Sequence, residues 1–378
     1  MPRYKFCEIA ENITDKRMPT PEDKELYIAP NNLDTETLTV PEYGYKVDLN
    51  GTKLIMHKGD MLFGRREPQL KHAAIAPHDG LFSAHGMIFH AKESVMSKEF
   101  FPFFISSDYF FDAAIRIAVG SLSPTVNWRD LKDLEFTIPT LQEQEKYAKL
   151  LWAIIRNKIA YKNLIAQTDE LVKSRFVEMF GDPRYQTENL TTLGEHITLI
   201  NGFAFKSECF TPAGIPVIKI GNVNRADFSE GSMQFYDRDP SIERYIIKPG
   251  DLVISLTGTV GKDDFGNAAI VDDSYEEYYL NQRNAKLETH PELNVVYLAH
   301  LLRNEFIRTK LIQSGTGVRQ CHLHNKDLEG LKFVLPSIEQ QNNYADFALQ
   351  ADKSKFAAQQ ALADLTASQK ALMRQYLG

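Results

Sequence analysis

At 378 residues the chain is long enough for two domains of ordinary size, and its 43% hydrophobic and 25% charged content is that of folded globular protein. A net charge of −7 does not suit a stand-alone nucleic-acid binder, so any phosphate contact must come from local basic clusters or from a partner. Three scattered cysteines, Cys7, Cys209 and Cys321, argue against a disulfide framework or a cysteine zinc site and fit a reducing compartment. Residues 1–12 have no signal-peptide core, and no run of eighteen apolar residues occurs. The expected location is the cytoplasm.

Residues 1–139 read as a mixed, mostly β domain, broken early by Pro19, Pro21, Pro30 and Pro41. Strands are predicted over 53–57, 61–63, 73–76 and 87–90, with the turn Lys58-Gly59-Asp60 between the first two. Residues 98–117, rich in phenylalanine, read as a buried helical region. Then comes the stretch 142–180, entered through Ile138-Pro139 and closed by Phe180-Gly181-Asp182-Pro183, with no internal Gly or Pro. It predicts a single helix far longer than the usual globular helix of about 10 to 14 residues. Tyr147, Leu150, Ile154, Tyr161, Leu164 and Leu171 recur at heptad-like spacing, which calls for a partner helix.

The chain then repeats itself. Lys248-Pro249-Gly250-Asp251-Leu252 echoes Lys58-Gly59-Asp60-Met61-Leu62, and Ala268-Ala269-Ile270 echoes Ala73-Ala74-Ile75. Residues 215–220 form a clear strand, and 295–312 a helical stretch where the first half has its aromatic one. A second unbroken helix is predicted over 338–377 after Leu335-Pro336. It aligns with the first without a gap at an offset of 197 residues (Pro139 to Pro336, Gly181 to Gly378). On its equivalent seam lie Tyr344, Phe347, Ala351, Ser354, Ala358, Ala361, Leu365 and Leu372, smaller than the first seam and suited to interdigitate with it. The plainer alternative is two helices that each pack only on their own domain. The order domain, helix, domain, helix at this period is a tandem duplication, not a solenoid.

A catalytic reading fares poorly. Thr257-Gly258-Thr259-Val260-Gly261-Lys262-Asp263 lacks the spacing and the terminal Ser or Thr of a phosphate loop. Cys321-His322-Leu323-His324 has metal-capable groups but no second cluster to complete four ligands. Glu170 and Lys173 could pass for part of a nuclease site, but an exposed helical ion pair is the simpler reading.

Phe176-Val177-Glu178-Met179-Phe180-Gly181-Asp182-Pro183 resembles the end of the first spacer helix in specificity (S) subunits of type I restriction-modification systems. Pro139-Thr140-Leu141-Gln142-Glu143-Gln144 and Pro336-Ser337-Ile338-Glu339-Gln340-Gln341 look like the entry to that family's conserved helices. Lys248-Pro249-Gly250-Asp251-Leu252, Gly315-Thr316-Gly317 and Asn325-Lys326-Asp327-Leu328 are similar to its target-recognition domains. The first half departs from this pattern with Gly59-Asp60-Met61-Leu62-Phe63-Gly64-Arg65.

The resemblance implies an α+β chain with two tandem mixed α/β target-recognition domains, at 1–139 and 184–336. They are separated by spacer helices at 140–183 and 337–378 that pair as an antiparallel coiled coil. It further implies a non-catalytic subunit that reads a split target in double-stranded DNA and docks methyltransferase (M) subunits and restriction (R) subunits. S-adenosylmethionine, ATP and Mg would reside in those partners, since this chain has no Asn-Pro-Pro-Tyr-type loop of an adenine methyltransferase. The alternative within this class is an orphan specificity-like module or one that serves another DNA-modifying assembly; a coiled-coil scaffold that binds only protein is the competing reading from another class, and the acidic charge suits it.

Base readout needs Arg, Lys, Asn, Gln or hydroxyl groups on loops or strand ends. In the first half these are Arg65, Arg66, Lys71, His72, Asn127 and Arg129. In the second they are Thr257, Thr259, Lys262, Gln282, Arg283, Arg319, Gln320, His322, His324 and Lys326. Gly258, Gly261, Gly315 and Gly317 would allow close approach of backbone to phosphate.

Overall fold

The computed structural model describes residues 1–46, 48–223, 228–229, 231, 233–259, 264–317 and 320–377. The chain forms two compact units, one of residues 1–166 and 356–378, the other of residues 167–355.

In the first unit a four-stranded antiparallel sheet runs in the order Ala10–Ile13, Gly86–Ala91, Met61–Gly64, Ala73–Ile75. Successive side chains on a strand point to opposite faces, and in the three strands other than Ala10–Ile13, which exposes Glu11, both faces are largely covered and the sequence reads as a mostly apolar run. Met61, Phe63, Ala73, Met87 and Phe89 enter one core; Leu62, Ala74 and Ile88 enter another with Ile28, Leu54 and Phe82. The aromatic stretch is two short helices, Phe101–Ile105 and Asp108–Arg116, divided where Ser107 Oγ accepts the Phe110 N–H at 3.1 Å. They close over Phe6, whose ring meets Phe89 at 5.3 Å, Phe110 at 5.1 Å and Trp128 at 5.6 Å.

The second unit repeats this sheet with strands Ile197–Asn201, Asn284–Thr289, Leu252–Ser255 and Ala268–Ile270 in the same order. Leu252, Ile254 and Ala268 face one core, Val253 and Ala269 the other. The turns that enter the matching strands are also the same. Gly59 and Gly250 sit at φ +95° and +89°, where only glycine is unstrained. Beside them Asp60 Oδ2 accepts the His57 N–H at 2.8 Å, and Asp251 Oδ2 accepts the Lys248 N–H at 2.9 Å. The helical stretch predicted over 295–312 is broken at Asn304 into Val295–Arg303 and Glu305–Ser314, because Asn304 Oδ1 caps the second helix.

The long helices span Leu141–Phe180 and Ile338–Leu377. Each opens on a reciprocal cap, Thr140 with Glu143 and Ser337 with Gln340, which satisfies otherwise unpaired N–H groups. The first ends at Gly181, φ +81°, whose N–H reaches the Val177 carbonyl at 2.8 Å. The next residue in each motif explains the Pro-x-x-x-x-Gln spacing. Gln144, fully buried, accepts from Ser97 N at 2.7 Å and donates to the carbonyls of Val95 at 3.0 Å and Pro139 at 2.8 Å. Gln341 does the same with Asn294 N at 2.8 Å and the carbonyls of Glu292 at 3.0 Å and Pro336 at 2.8 Å.

Within each unit a part of one long helix packs antiparallel on a part of the other. In the first, Tyr147 stacks on Tyr376 at 3.5 Å and Lys158 Nζ donates to Gln369 Oε1 at 2.9 Å. In the second, Asp169 pairs with Lys355 at 2.8 Å, and Tyr344 is buried against Phe176 and Phe180, each at 5.4 Å. The buried seam differs from the one read off the sequence. Leu150, Leu164 and Leu171 are exposed, whereas Ala148, Leu151, Ile155, Val172 and Phe176 are buried, with Ala345, Ala348 and Ala358 on the other helix. Each helix segment must cover the core of the unit in which it lies as well as the segment of the other helix beside it, so the buried face is rotated toward that core and extends beyond a two-helix seam.

His300, edge-on to Tyr344 at 5.4 Å, is neutral in the fold, because burial, aided by the charges of Arg303 and Lys355, pushes its pKa down to about 3. Below pH 6.5 the unfolded chain takes up a proton that the folded site refuses. Stability contributed by neutral His300 is therefore complete above 6.5 and falls as pH drops toward 3. Between pH 6.5 and 5 the second unit is expected to lose about 2 kcal/mol from this group. Melting curves of wild type and His300→Asn at the two pH values check this; equal losses would assign the acid sensitivity elsewhere.

Candidate nucleic-acid interface

In the second unit the strand Leu252–Ser255 continues past Leu256 into Thr257–Thr259, which pairs antiparallel with Gln320–His322. Thr257 lies opposite His322, and Thr259 opposite Gln320. His322 and Thr316 exchange backbone hydrogen bonds of 2.9 and 3.0 Å, extending the ladder to a third segment. On the other side the Leu256 N–H donates to the Arg283 carbonyl and the Leu323 N–H to the Leu256 carbonyl, both at 2.8 Å. Three loops separated in sequence thus become one small backbone ladder.

This ladder brings together Thr257, Thr259, Gln282, Arg283, Gln320, His322 and His324, with Lys326 two residues beyond on the helix Asn325–Glu329. All are exposed except Thr257, which is buried with no hydrogen-bond partner for its Oγ1 among the described residues. A ring nitrogen of His324 bonds Thr316 Oγ1 at 2.9 Å. Packing gives a reason for two of the glycines. A Cβ at Gly258 would lie 2.2 Å from Asp264 Oδ1, and one at Gly317, φ +145°, 1.8 Å from the Gln320 carbonyl oxygen. Lys262, Arg319 and Gly261 lie outside the described residues.

The first unit builds the same ladder. Past the strand Met61–Gly64, the Arg65 N–H donates to the His85 carbonyl at 3.2 Å, and the Val126 N–H to the Arg65 carbonyl at 2.9 Å. Arg66 bridges Thr125, which in turn exchanges bonds of 2.9 and 3.0 Å with Val119. Arg66 Nε also reaches Ser123 Oγ at 3.3 Å. Partial burial lowers the pKa of His85, and the positive charges of Arg66, Arg65 and Lys53 lower it further. That is the local basic cluster the overall charge leaves room for.

The other first-half candidates are placed differently. Lys71 is ion-paired with Asp108, and Arg129 Nε with Asp130 at 3.2 Å, so each already has a carboxylate partner. His72 is half-buried, and burial lowers its pKa. Asn127 precedes the short helix Trp128–Leu131 without capping it through its side chain. His85, Thr125 and Thr316 were missed by sequence reasoning. Two of them left a signal: Thr125 falls opposite His322 at the 197-residue offset, and Thr316 lies inside the motif Gly315-Thr316-Gly317.

Catalytic alternatives gain nothing from the structure. Among the described residues no three His, Cys, Asp or Glu side chains are grouped to hold a metal ion. Glu170 and Lys173 form an exposed ion pair of 2.7 Å on the helix surface. No helix of the described residues is long and apolar enough to cross a membrane.

Comparison with known proteins agrees with this architecture. Residues 188–364 match the type I restriction modification DNA specificity domain. The type I restriction enzyme MjaVIII specificity subunit of Methanocaldococcus jannaschii is 24% identical over 248 residues, 60% of this chain and 57% of that protein. The EcoAI specificity subunit of Escherichia coli is 29% identical over 152 residues, 39% of this chain and 26% of that one. The matches therefore span about half of the first curated relative and a quarter of the second. The S subunit of a type I restriction-modification system from M. genitalium shares the fold, with a TM-score of 0.64 at 15% identity over 100% of this chain and 96% of that one. A chain from a structure concerned with assembly of the type I R-M system shares it at a TM-score of 0.54 and 17% identity, covering 100% and 97%. The second half of the chain thus matches the type I restriction modification DNA specificity domain, and the chain as a whole has the duplicated fold seen in the M. genitalium S subunit.

Proposed function

We propose that this chain is the DNA-reading subunit of a type I restriction-modification complex and is itself non-catalytic. The domain around residues 1–139 would read one half of a split target, and that around 184–336 the other. The observation that carries this reading is the duplicated ladder: each unit holds hydrogen-bonding side chains on a rigid strand end, as base readout requires. Methyltransferase subunits would dock on the long helices and bring S-adenosylmethionine. Restriction subunits would bring ATP hydrolysis and Mg, all in the cytoplasm. Phosphate contacts from those partners would offset the acidic balance of this chain.

Co-expression with a methyltransferase subunit, followed by mapping of modified adenines in host DNA, tests the reading. A two-part motif with a fixed gap is the expected result. A stable complex with active methyltransferase and no sequence-specific modification would overturn it. The net charge of −7 favours a second reading, a scaffold that binds only protein. Sequence-specific DNA retention that weakens steeply with salt separates the two.

A further inference from the structure

The two ladders correspond position by position, although no single sequence offset aligns them. The Arg65 N–H to His85 carbonyl bond matches the Leu256 N–H to Arg283 carbonyl bond, and Val126 to Arg65 matches Leu323 to Leu256. The bridge between Arg66 and Thr125 matches the pairing of Thr257 with His322, and that between Val119 and Thr125 matches that between Thr316 and His322. Arg66 is thereby equivalent to Thr257, Thr125 to His322, and His85 to Arg283.

These three positions carry the same residue types in both units, permuted. The first unit has Arg66, Thr125 and His85; the second has Thr257, His322 and Arg283 in the same order. Around them the hydrogen-bond frame is held constant, so the difference between the units lies in where the guanidinium, imidazole and hydroxyl sit. Both arginines are exposed at the end of the ladder. A guanidinium can take two acceptors of one guanine edge at once, a geometry that a lysine ammonium cannot copy.

We propose that this permuted triad sets which half-site each unit reads, with Arg66 and Arg283 each contacting one guanine at non-equivalent places in the two half-sites. The inference rests on the DNA-reading function proposed above. A rigid backbone with exchanged side chains is what two different half-sites require, because displacement of the bidentate group by one position changes the base pair it can reach.

The test uses the chain assembled with its methyltransferase partner and duplex probes in which one half-site at a time is randomised. Arg66→Ala is expected to lose discrimination, by about 10-fold or more, at one base pair of one half-site, and Arg283→Ala at one base pair of the other. Arg→Lys at either position should fail equally, whereas Lys5→Ala, which alters an exposed ion pair with Asp133, should change neither half-site. Variants that bind all sequences uniformly more weakly and are rescued by lysine would show phosphate contact and overturn the proposal. So would unchanged discrimination in a wild-type-like complex. If the wild-type complex itself selects no sequence, the DNA-reading function has failed and not merely its assignment to these residues. Because both arginines are exposed, loss of folding does not confound the result.

Discussion

Gln144→Leu is expected to destabilise the first unit by about 2–5 kcal/mol, although leucine nearly matches glutamine in volume. The side chain lies at 0% exposure, and its three hydrogen bonds end on backbone groups, Ser97 N–H and the carbonyls of Val95 and Pro139. Leucine removes all three partners and lets no water in, so the cost is that of buried polar groups left unmet. Gln341→Leu should do the same to the second unit through Asn294, Glu292 and Pro336. Gln142→Leu, two residues away and exposed, should shift stability by less than about 0.5 kcal/mol. Urea midpoints at unchanged slope measure all three. A Gln144→Leu midpoint equal to that of wild type would show that these bonds do not hold the helix entrance in place.

That glutamine shows how much the sequence discloses. Its spacing from the proline was visible twice, and the caps at Thr140 and Ser337 follow from the same few residues, because local capping chemistry leaves a local signature. The duplicated strands and the two uninterrupted helices were equally legible, since period-2 and helical patterns need no tertiary information. The helix seam was less so. Leu150, Leu164 and Leu171 keep heptad spacing yet are exposed, while small or polar Ala148, Lys158 and Ala348 are buried. Burial there is decided by what else packs on the helix, which periodicity within one helix does not record.

The candidate site was legible as residue types but not as an assembly. Thr257 and Gln320 are more than sixty positions apart, and only strand pairing places them on neighbouring rungs. His85 sits alone in a turn, and its relation to Arg65 and Arg66 comes from one backbone bond and a shared field. The equivalence of the ladders was hidden because Arg66 and Thr257 are offset by 191 residues (66 to 257), whereas Thr125 and His322 are offset by 197 (125 to 322). Loops of unequal length between the strands break the single register that the long helices keep.

The long helices lead to the prediction with the largest functional effect. Each runs unbroken for 40 residues and passes from one unit into the other, at Ala166 and Gln167 in the first and at Lys355 and Phe356 in the second. Four helix-forming residues inserted at both points add about one turn, or about 6 Å, to each helix. Local pairing on either side is retained: Tyr147 with Tyr376 and Lys158 with Gln369 before the insertion, Asp169 with Lys355 and Phe176 with Tyr344 after it. If the pair fixes the gap in the DNA target, both half-sites should stay the same while the gap between them grows by about two base pairs, at about 3.4 Å each. Mapped adenine methylation would show the longer gap directly. An unchanged gap, in a variant whose circular dichroism shows the added turns to be helical, would mean that something other than these helices sets the spacing. Insertion into one helix alone should instead put the antiparallel faces out of register. It is expected to lower stability and modification together, because Ala345, Ala348 and Ala358 would then meet the wrong neighbours across a close-packed seam.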